Sequence, residues 1–201
     1  MTIEWFLAAS GGYFLGSIPF GVLLTRLFGL GDIRKIGSGN IGATNVLRTG
    51  RKDIALATLL LDAGKAAAAF YLAKTLFPDP LAMAAIIAAI AALIGHCYPV
   101  WLNFRGGKGV ATFFGGLLIA SWPLGLIAGA IWLLVALSMR ISSLAALFAV
   151  NSAPAIALAL GKPELAVFAG VMALIVSIRH FDNILRLMTG TEPKFGSKDK
   201  K

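Results

Sequence analysis

The chain has 201 residues, of which 58% are hydrophobic and 13% are charged, and its mean hydropathy is +0.85. Soluble domains carry about 25% charged residues, so this composition excludes a soluble domain and predicts an integral membrane protein. Attraction to anionic lipid headgroups explains the net charge of +9, and we expect no nucleic-acid partner. The single Cys97 excludes an internal disulfide, and the lack of clustered His or carboxylate residues argues against a metal site.

The first part of the chain holds three apolar segments that predict membrane-spanning helices. Each is long enough to cross a hydrocarbon core of roughly 30 Å. They lie near 3–28, 54–73 and 81–100. The first segment carries Glu4 instead of a basic start and is longer than a signal-peptide core, so we expect a retained helix.

The stretch 110–138 carries no charged residue and allows two interpretations. It could form one long tilted helix, or two short helices that turn at Ser121-Trp122-Pro123, since proline beside an aromatic residue is typical of an interfacial turn. Two further apolar runs, 143–160 and 164–178, meet at Gly161-Lys162-Pro163. The total is therefore six or seven spans.

The distribution of basic residues decides between six and seven, because cytoplasmic loops are enriched in Lys and Arg. Seven spans leave only Lys74 and Lys162 on the outer side, whereas six would divide the basic residues nearly equally. The inner side then holds Arg26, Arg34, Lys35, Arg48, Arg51, Lys52, Arg105, Lys108, Arg140, Arg179, Arg186, Lys194, Lys198, Lys200 and Lys201. The sequence thus predicts an all-α integral membrane protein with seven transmembrane helices, the N-terminus outside and the C-terminus cytoplasmic. Its two middle helices would be short, about 20 Å each.

No linker, low-complexity tract or convincing internal repeat divides the chain. We therefore expect a single membrane domain over 1–195. Residues 196–201 form a polar tail that could have been added in cloning. We expect a monomer.

The segment from Ser38 to Arg48 combines small polar residues with an arginine between two apolar runs. Glycine lets the backbone approach a ligand, hydroxyl and amide groups donate hydrogen bonds, and Arg offers a planar charged fork. This pattern favours a phosphate site at a membrane face, and an ordinary polar loop with helix-capping residues is the alternative. The candidate ligands are Ser38, Gly39, Asn40, Gly42, Thr44, Asn45 and Arg48.

A second segment, Arg105 to Thr112, again sets glycines beside a cation within apolar sequence. Lys108 can bind phosphate as a point charge. The candidate ligands here are Gly107, Lys108, Gly109 and Thr112. Isolated basic residues more often anchor a protein to lipid, and we interpret Arg34, Lys35, Arg51 and Lys52 in that way.

The third polar segment runs from Arg179 to Arg186. It contains His180 and Asn183, and His180 and His96 are the two histidines of the chain, each a candidate general base. We favour His180, because a structural role is commoner for a histidine at a helix end such as His96. Under the seven-span topology all three polar segments face the cytoplasm.

Asp62 and Lys65 lie inside the second span at positions i and i+3, so they can pair on one helix face. Charges inside a membrane are expensive and usually face a polar interior. Two roles are open for this pair, bracing the helix bundle or contacting a ligand directly.

Several catalytic motifs are absent. The chain has no Gly-x-Ser-x-Gly elbow, no Walker motif and no dinucleotide fingerprint. The five aspartates outside the tail, Asp32, Asp53, Asp62, Asp79 and Asp182, are never adjacent. Metal-dependent phosphoryl or phosphatidyl transfer is therefore disfavoured.

Four strings in order along the chain resemble the bacterial membrane-embedded glycerol-3-phosphate acyltransferases, the PlsY family. They are Gly16 to Gly21, Ser38 to Arg48, Gly107 to Thr112, and Arg179-His180 through Asn183 to Gly190-Thr191-Glu192. The resemblance implies transfer of a fatty acyl group from acyl phosphate to the 1-hydroxyl of glycerol 3-phosphate, giving lysophosphatidic acid and phosphate. It implies no acyl-enzyme, no metal and no cofactor, and an active site at the cytoplasmic face of the cell inner membrane.

The resemblance also implies roles for individual residues. Ser38, Arg48 and Lys108 would lie closest to the reacting centre, with the remaining first-segment and second-segment candidates binding the phosphates. Asn183 and His180 would orient glycerol 3-phosphate, and Glu192 would belong to the same substrate site. The hydroxyl proton could pass to His180 or to a phosphate oxygen of the substrate.

Two other classes of function remain open from the residues alone. A transporter for an anionic phosphorylated metabolite could use the same basic glycine-rich loops, although transporters often show repeated halves with helices broken at mid-membrane. A lipid-binding or scaffolding protein is the third possibility, but it would have no use for three polar segments on one face.

Overall fold

The computed structural model describes residues 2–80 and 82–194, with the side chain of Thr2 excepted, and these residues form helices and connecting turns without strands. The polar tail and its three lysines lie outside the described residues. The chain divides into two compact units, one ending at Ala120 and the other beginning at Ser121.

The described residues of the first unit form six α-helices and three short 3-10 turns. The helices are α1 (Thr2–Gly16), α2 (Phe20–Leu27), α3 (Ala43–Val46), α4 (Lys52–Leu76), α5 (Met83–Cys97) and α6 (Val110–Ala120). The 3-10 turns are Ile33–Lys35, Leu47–Thr49 and Val100–Leu102. The α5 helix packs against α1 and α4, and α4 packs against α6.

Small residues allow α1 and α5 to approach closely. A methyl group on Gly12 would overlap the backbone of Ala88, and one on Gly16 would overlap the backbone of Ala92. Helix pairs in membranes pack through such small residues, because lipid supplies no hydrophobic drive for association. This contact fixes the end of α5, from which the second glycine-rich segment leaves.

The apolar start of the chain is broken at Pro19, which has no N–H for a helical hydrogen bond, and α1 therefore ends before α2 begins. The break frees backbone carbonyls for other donors. The Trp101 indole Nε1 donates to the Ser17 carbonyl at 2.7 Å, and the Tyr13 hydroxyl donates to the Tyr98 carbonyl at 2.9 Å. These bonds anchor the turn that leads into the second glycine-rich segment.

The second unit contains α7 (Trp122–Met139), α8 (Ser142–Ala159), α9 (Pro163–Arg179) and α10 (Phe181–Met188). The α8 helix packs against both α7 and α9, and α9 meets α10 at a bend of 66°. A predicted break at Ser121-Trp122-Pro123 is present, because Ser121 is extended and Pro123 lies in the first turn of α7.

Within residues 2–80 and 82–194, five helical segments are long and apolar enough to span a membrane, and the bent α9–α10 pair would make a sixth. The α6 helix has only 11 residues, which is about 16 Å of helix. Of the two middle helices that we expected to be short, α6 is short and α7, with 18 residues, is not. Large apolar side chains remain exposed, such as Leu137 at 72% and Val167 at 69%, as expected where lipid covers a helix.

Candidate functional site

The first glycine-rich segment is organised around the side chain of Asn45, which is 2% exposed. Its Nδ2 donates to the backbone carbonyls of Ile33, Ile36 and Asn40 at 2.8 to 3.0 Å. Its Oδ1 accepts from the backbone N–H of Ser38 at 3.2 Å. One amide therefore ties together the part of the loop before α3.

The structure brings Arg48 close to the start of the same segment. Gly37 has a φ of +53°, and a methyl group built there would lie 2.6 Å from Arg48 Cδ and 2.8 Å from Nη1. Only glycine fits this left-handed, crowded position. The arginine thus lies beside the residue that precedes Ser38, and both Ser38 and Arg48 are exposed.

The other predicted ligands of the first segment lie on the loop surface. Gly39 has a φ of +69°, and Gly42 comes directly before α3, where its carbonyl accepts from the N–H groups of Asn45 and Val46. Thr44 is exposed on α3, and Asn40 is half-buried.

An exposed ion pair precedes this loop. The guanidinium of Arg34 donates to the carboxylate of Asp32 at 2.6 Å, and the backbone N–H of Arg34 donates to the same carboxylate at 3.1 Å. These hydrogen bonds hold the pKa of Asp32 well below its usual range, the side-chain bond contributing most. Asp32 therefore stays ionised and offsets part of the local positive charge.

The second glycine-rich segment is held by backbone hydrogen bonds to the end of α5. The N–H of Gly106 donates to the carbonyl of Cys97 at 3.1 Å, and that of Gly107 donates to the carbonyl of His96 at 3.0 Å. A methyl group on Gly106 would overlap the His96 carbonyl, and one on Gly107 would overlap the His96 ring at Nε2. Close packing on α5, rather than a special backbone angle, requires these two glycines.

Strained backbone precedes this segment, and a left-handed glycine ends it. Asn103 and Phe104 have φ values of +50° and +59°, an uncommon conformation for an aromatic residue. Gly109 has a φ of +83° and comes directly before α6. Lys108 therefore lies at the entry to the N-terminus of α6, where helical N–H groups favour an anion.

Thr112, in the first turn of α6, is fully buried. Its hydroxyl is one of two buried side-chain groups without a hydrogen-bond partner among the residues that the structure describes. A buried hydroxyl left unpaired costs about 1–3 kcal/mol. A water or ligand oxygen would remove that cost.

The two glycine-rich segments line one cavity of about 450 Å³. Gly39 of the first segment and Gly106 of the second both border it, as do three basic residues. The full lining is Asp32, Arg34, Lys35, Gly39, Leu102, Asn103, Arg105 and Gly106. Two glycine-rich segments about 65 positions apart in the sequence therefore meet in a single basic recess of the first unit.

The predicted pairing of Asp62 with Lys65 is present. Lys65 Nζ lies 2.9 Å from Asp62 Oδ1, and both side chains are buried. Lys65 Nζ also lies 2.7 Å from Nδ1 of His96. The sequence analysis gives His96 a structural role at a helix end and does not predict this contact with Lys65. The contact depends on how α5 packs against α4, which no local sequence pattern shows.

In the second unit, the carboxylate of Glu192 gathers the polar groups. It accepts hydrogen bonds from Ser143 Oγ at 2.6 Å, from Asn183 Nδ2, and from Arg186 Nε at 2.6 Å. Burial would raise the pKa of Glu192, but these three hydrogen bonds outweigh it and hold the pKa below its usual range. Glu192 thereby connects the start of α8 with α10.

His180 lies at the bend between α9 and α10 and is 2% exposed. Its Nδ1 lies 2.8 Å from the carbonyl of Val176, which can only accept, so the hydrogen-bond pattern assigns the Nδ1 proton. A neutral His180 then carries its lone pair on Nε2. Asn183, one turn later, is also buried.

Three comparisons with known proteins agree. The model of the glycerol-3-phosphate acyltransferase family matches residues 6–190. The chain is 56% identical over 192 residues to the glycerol-3-phosphate acyltransferase of Dinoroseobacter shibae, covering 96% of this chain and 93% of that one. It is 57% identical over 195 residues to that of Caulobacter vibrioides, covering 96% and 88%.

Two crystal structures of PlsY, an integral membrane glycerol 3-phosphate acyltransferase, are also similar. Its glycerol 3-phosphate form gives a TM-score of 0.88 at 36% identity, with 96% of each chain covered. Its lysophosphatidic acid form gives 0.86 at 35%, with 96% of this chain and 95% of that one covered. The chain therefore belongs to the glycerol-3-phosphate acyltransferase family of integral membrane enzymes.

Proposed function

We propose that the protein transfers a fatty acyl group from acyl phosphate to the 1-hydroxyl of glycerol 3-phosphate, forming lysophosphatidic acid and inorganic phosphate. The observation that carries this proposal is the basic recess shared by the two glycine-rich segments, whose basic lining residues are Arg34, Lys35 and Arg105 and do not include Arg48 or Lys108. Cations and backbone N–H groups suit two phosphate-bearing reactants. A related PlsY structure holds glycerol 3-phosphate, which supports that acceptor here.

Acyl phosphate is a mixed anhydride with a good leaving group, so the reaction needs positioning and charge neutralisation more than an activated nucleophile. The glycerol oxygen bonds to the acyl carbon, and the bond from that carbon to the phosphate oxygen breaks. The hydroxyl proton leaves with a base or with the phosphate. No acyl-enzyme and no cofactor are required.

Ser38, Arg48 and Lys108 hold the phosphate groups in this proposal. The guanidinium beside Gly37 can bind phosphate in a bidentate manner, and Lys108 adds a point charge at the entry to α6. Backbone N–H groups of Gly39, Gly42, Gly107 and Gly109 supply further donors, with Asn40 and Thr44 at the loop surface. The unpaired hydroxyl of Thr112 would gain a partner from water or substrate.

The hydrogen bonds of two predicted ligands favour an indirect role. The amide of Asn45 is occupied by four backbone groups of its own loop. The carboxylate of Glu192 is occupied by Ser143, Asn183 and Arg186. We therefore assign Asn45 to shaping the first segment, and Glu192 to fixing Asn183.

Asn183 and His180 orient glycerol 3-phosphate in this proposal. The tautomer of His180 suits a general base, because Nε2 carries the lone pair. A phosphate oxygen of the substrate is the competing base. Replacement of His180 by Ala separates the two routes, since a near-normal kcat would leave only the substrate-assisted one.

We propose that the chain crosses the cell inner membrane seven times. The short helix α6, fourth among the spans in chain order, is then a span in addition to the six long ones. The N-terminus then lies outside and the C-terminus in the cytoplasm, which puts the three polar segments on the cytoplasmic side. Residues 1–195 would act as one domain and as a monomer, and lipid would cover the exposed apolar faces. The acyl chain would reach the site from the inner leaflet.

The proposal is tested with purified protein in detergent supplied with palmitoyl phosphate and glycerol 3-phosphate. We expect phosphate release and lysophosphatidic acid formation in equal amounts, dependent on both substrates. Lysophosphatidic acid formation with palmitoyl-CoA as the only donor would contradict the choice of donor. No turnover in detergent, combined with uptake of glycerol 3-phosphate into sealed vesicles, would favour the transporter instead.

A further inference from the structure

A buried cluster of charged and ionisable side chains lies beside the second glycine-rich segment but outside the proposed phosphate site. Asp62 and Lys65 come from α4, and His96 comes from the end of α5. Their exposed fractions are 2%, 3% and 4%. Charges buried in a membrane protein are costly, and apolar residues of similar volume would usually stabilise such a core equally well.

The contacts of Lys65 fix the state of the histidine ring. Its ammonium group has three protons and three close acceptors, namely Asp62 Oδ1 at 2.9 Å, the carbonyl of Ile18 at 3.1 Å and His96 Nδ1 at 2.7 Å. The Ile18 carbonyl lies in the helix break before Pro19. With Lys65 charged, His96 Nδ1 accepts and the neutral ring carries its proton on Nε2. The same Nδ1 lies 3.6 Å from Asp62 Oδ1, so all three side chains meet at this edge of the ring.

The opposite edge of the ring contacts the second glycine-rich segment. A methyl group on Gly107 would overlap Nε2 of His96 and would lie 2.7 and 3.0 Å from its neighbouring ring carbons. The carbonyl of His96 also accepts the N–H of Gly107 at 3.0 Å. His96 thus holds, by its ring and its backbone, the residue that directly precedes Lys108.

We propose that Asp62, Lys65 and His96 form a positioning device that fixes the second glycine-rich segment, so that Lys108 meets the phosphate of its substrate. Asp62 and Ile18 hold Lys65, Lys65 sets the orientation and tautomer of His96, and His96 supports Gly107. This inference rests on the proposed phosphate-binding role of Lys108. None of the three side chains needs to touch the substrate.

Two replacements of His96 test the contact with Lys65 and the contact with Gly107 separately. In His96→Asn the amide can stay near Lys65 but the contact with Gly107 is lost, whereas in His96→Gln an amide group reaches the position of Nε2. We expect His96→Asn to raise the KM for a phosphate substrate about tenfold or more, since small misplacements of a binding group have effects of this size. His96→Gln should lie closer to wild type.

A stability control distinguishes positioning from general packing. Leu93 lies one turn earlier on α5 and is fully buried, so Leu93→Ala should lower the thermal midpoint. We expect Leu93→Ala to leave the KM unchanged. Equal KM changes in Leu93→Ala and His96→Asn, or no change in His96→Asn, would overturn the inference.

A double-mutant cycle probes the contact itself. Gly107→Ala forces a methyl group into the His96 ring, and His96→Ala removes that ring. We expect the double variant to have a lower KM than Gly107→Ala alone, which is strong non-additivity for two residues in contact. Additive effects would show that the ring does not support Gly107.

Hydrogen exchange gives a readout that does not depend on the acyl donor. In His96→Asn we expect at least tenfold faster exchange at the N–H groups of Gly106 and Gly107, with unchanged protection along α4 and α5. Unchanged exchange at these glycines, or loss of protection along both helices, would contradict positioning. If wild-type protein released no phosphate from acyl phosphate, the proposed function would fail while this exchange result would still decide the inference.

Discussion

The two glycine-rich segments of the first unit reach the same recess but are held in different ways. The first is tied from within, by one buried amide that bonds four backbone groups of its own loop. The second is tied from outside, by backbone hydrogen bonds to the end of α5 and by the ring of His96. The two segments are therefore similar in composition but are held in place by different contacts.

The difference also explains the glycines. In the first segment, Gly37 and Gly39 adopt left-handed angles that side chains disfavour. In the second, Gly106 and Gly107 have ordinary angles but no room for a methyl group against α5. A change at Asn45 should therefore disturb one loop as a whole, whereas the second loop should respond mainly to changes in volume.

The largest effect is expected at Asn45. Asn45→Asp keeps the volume and the acceptor but removes both N–H donors. The carbonyls of Ile33 and Ile36 keep backbone donors, whereas that of Asn40 loses its bond to Asn45, and a buried carbonyl left unpaired costs about 1–3 kcal/mol. We expect acyltransferase activity to fall by about two orders of magnitude, with the loop lost as a binding surface. The exposed neighbour Leu47 gives the control, since Leu47→Ala should retain most activity. Retention of activity in Asn45→Asp would refute internal support.

The next effect compares the two glycines of the second segment. Gly106→Ala pushes a methyl group against the backbone carbonyls of His96 and Cys97, whereas Gly107→Ala meets side-chain atoms only, those of the His96 ring. We expect Gly106→Ala to lower kcat/KM by at least tenfold more than Gly107→Ala. The measurement is kcat/KM for both variants under identical conditions, and a reversed order would contradict backbone packing as the cause.

A smaller and pH-dependent effect is expected in the second unit. The pKa of Glu192 is lower in the folded protein than in the unfolded chain, so its contribution is present above the unfolded value of about 4.3 and is lost as the pH falls through the folded value. Glu192→Gln should lower the thermal midpoint at pH 7, and the difference from wild type should shrink at acid pH.

Thermal unfolding in detergent at pH 7 and at pH 3 gives the difference in thermal midpoint between wild type and Glu192→Gln at each pH. The neighbouring carboxylate Asp182, exposed on α10, supplies the matched control through Asp182→Asn. A difference between wild type and Glu192→Gln that grew as the pH fell would reverse the assigned direction of the Glu192 pKa.

The smallest effect is expected at the exposed pair before the first loop. Asp32→Asn removes an ion pair with Arg34 whose side chains are 20% and 39% exposed, and such pairs contribute up to about 1 kcal/mol. We expect little change in stability but a more positive recess. The KM for phosphate substrates should therefore be lower than in wild type, and this difference should shrink with added salt. A salt-independent KM would argue that the recess does not bind them.

Much of the helical pattern could be predicted from the sequence. Long apolar runs and the proline-marked break at Ser121-Trp122-Pro123 follow from local chemistry, and the spacing of Asp62 and Lys65 predicts their pairing. The break at Pro19 divides the segment 3–28, which the sequence analysis treats as one helix. The prediction of two short middle helices is wrong for α7, which has 18 residues. A sequence without charges does not show where a helix ends. Membrane topology stays a prediction.

The support of the site was much harder to predict. The polar composition of Ser38 to Arg48 indicated an anion site, but nothing local showed that Asn45 would turn inward and bond the backbone. The contact of His96 with Gly107 depends on how α5 packs against α1 and α4, which no short motif encodes. Arg34 and Lys35, which the sequence pattern alone assigns to lipid anchoring, also line the recess.

The most direct test of the shared phosphate site is a structure of the protein with glycerol 3-phosphate and a non-hydrolysable acyl phosphonate bound together. We predict phosphate and phosphonate oxygens within hydrogen-bond distance of the Arg48 guanidinium and of Lys108 Nζ, with Asn45 still turned into its loop. Both anions bound outside the recess, with Arg48 and Lys108 uninvolved, would contradict that arrangement.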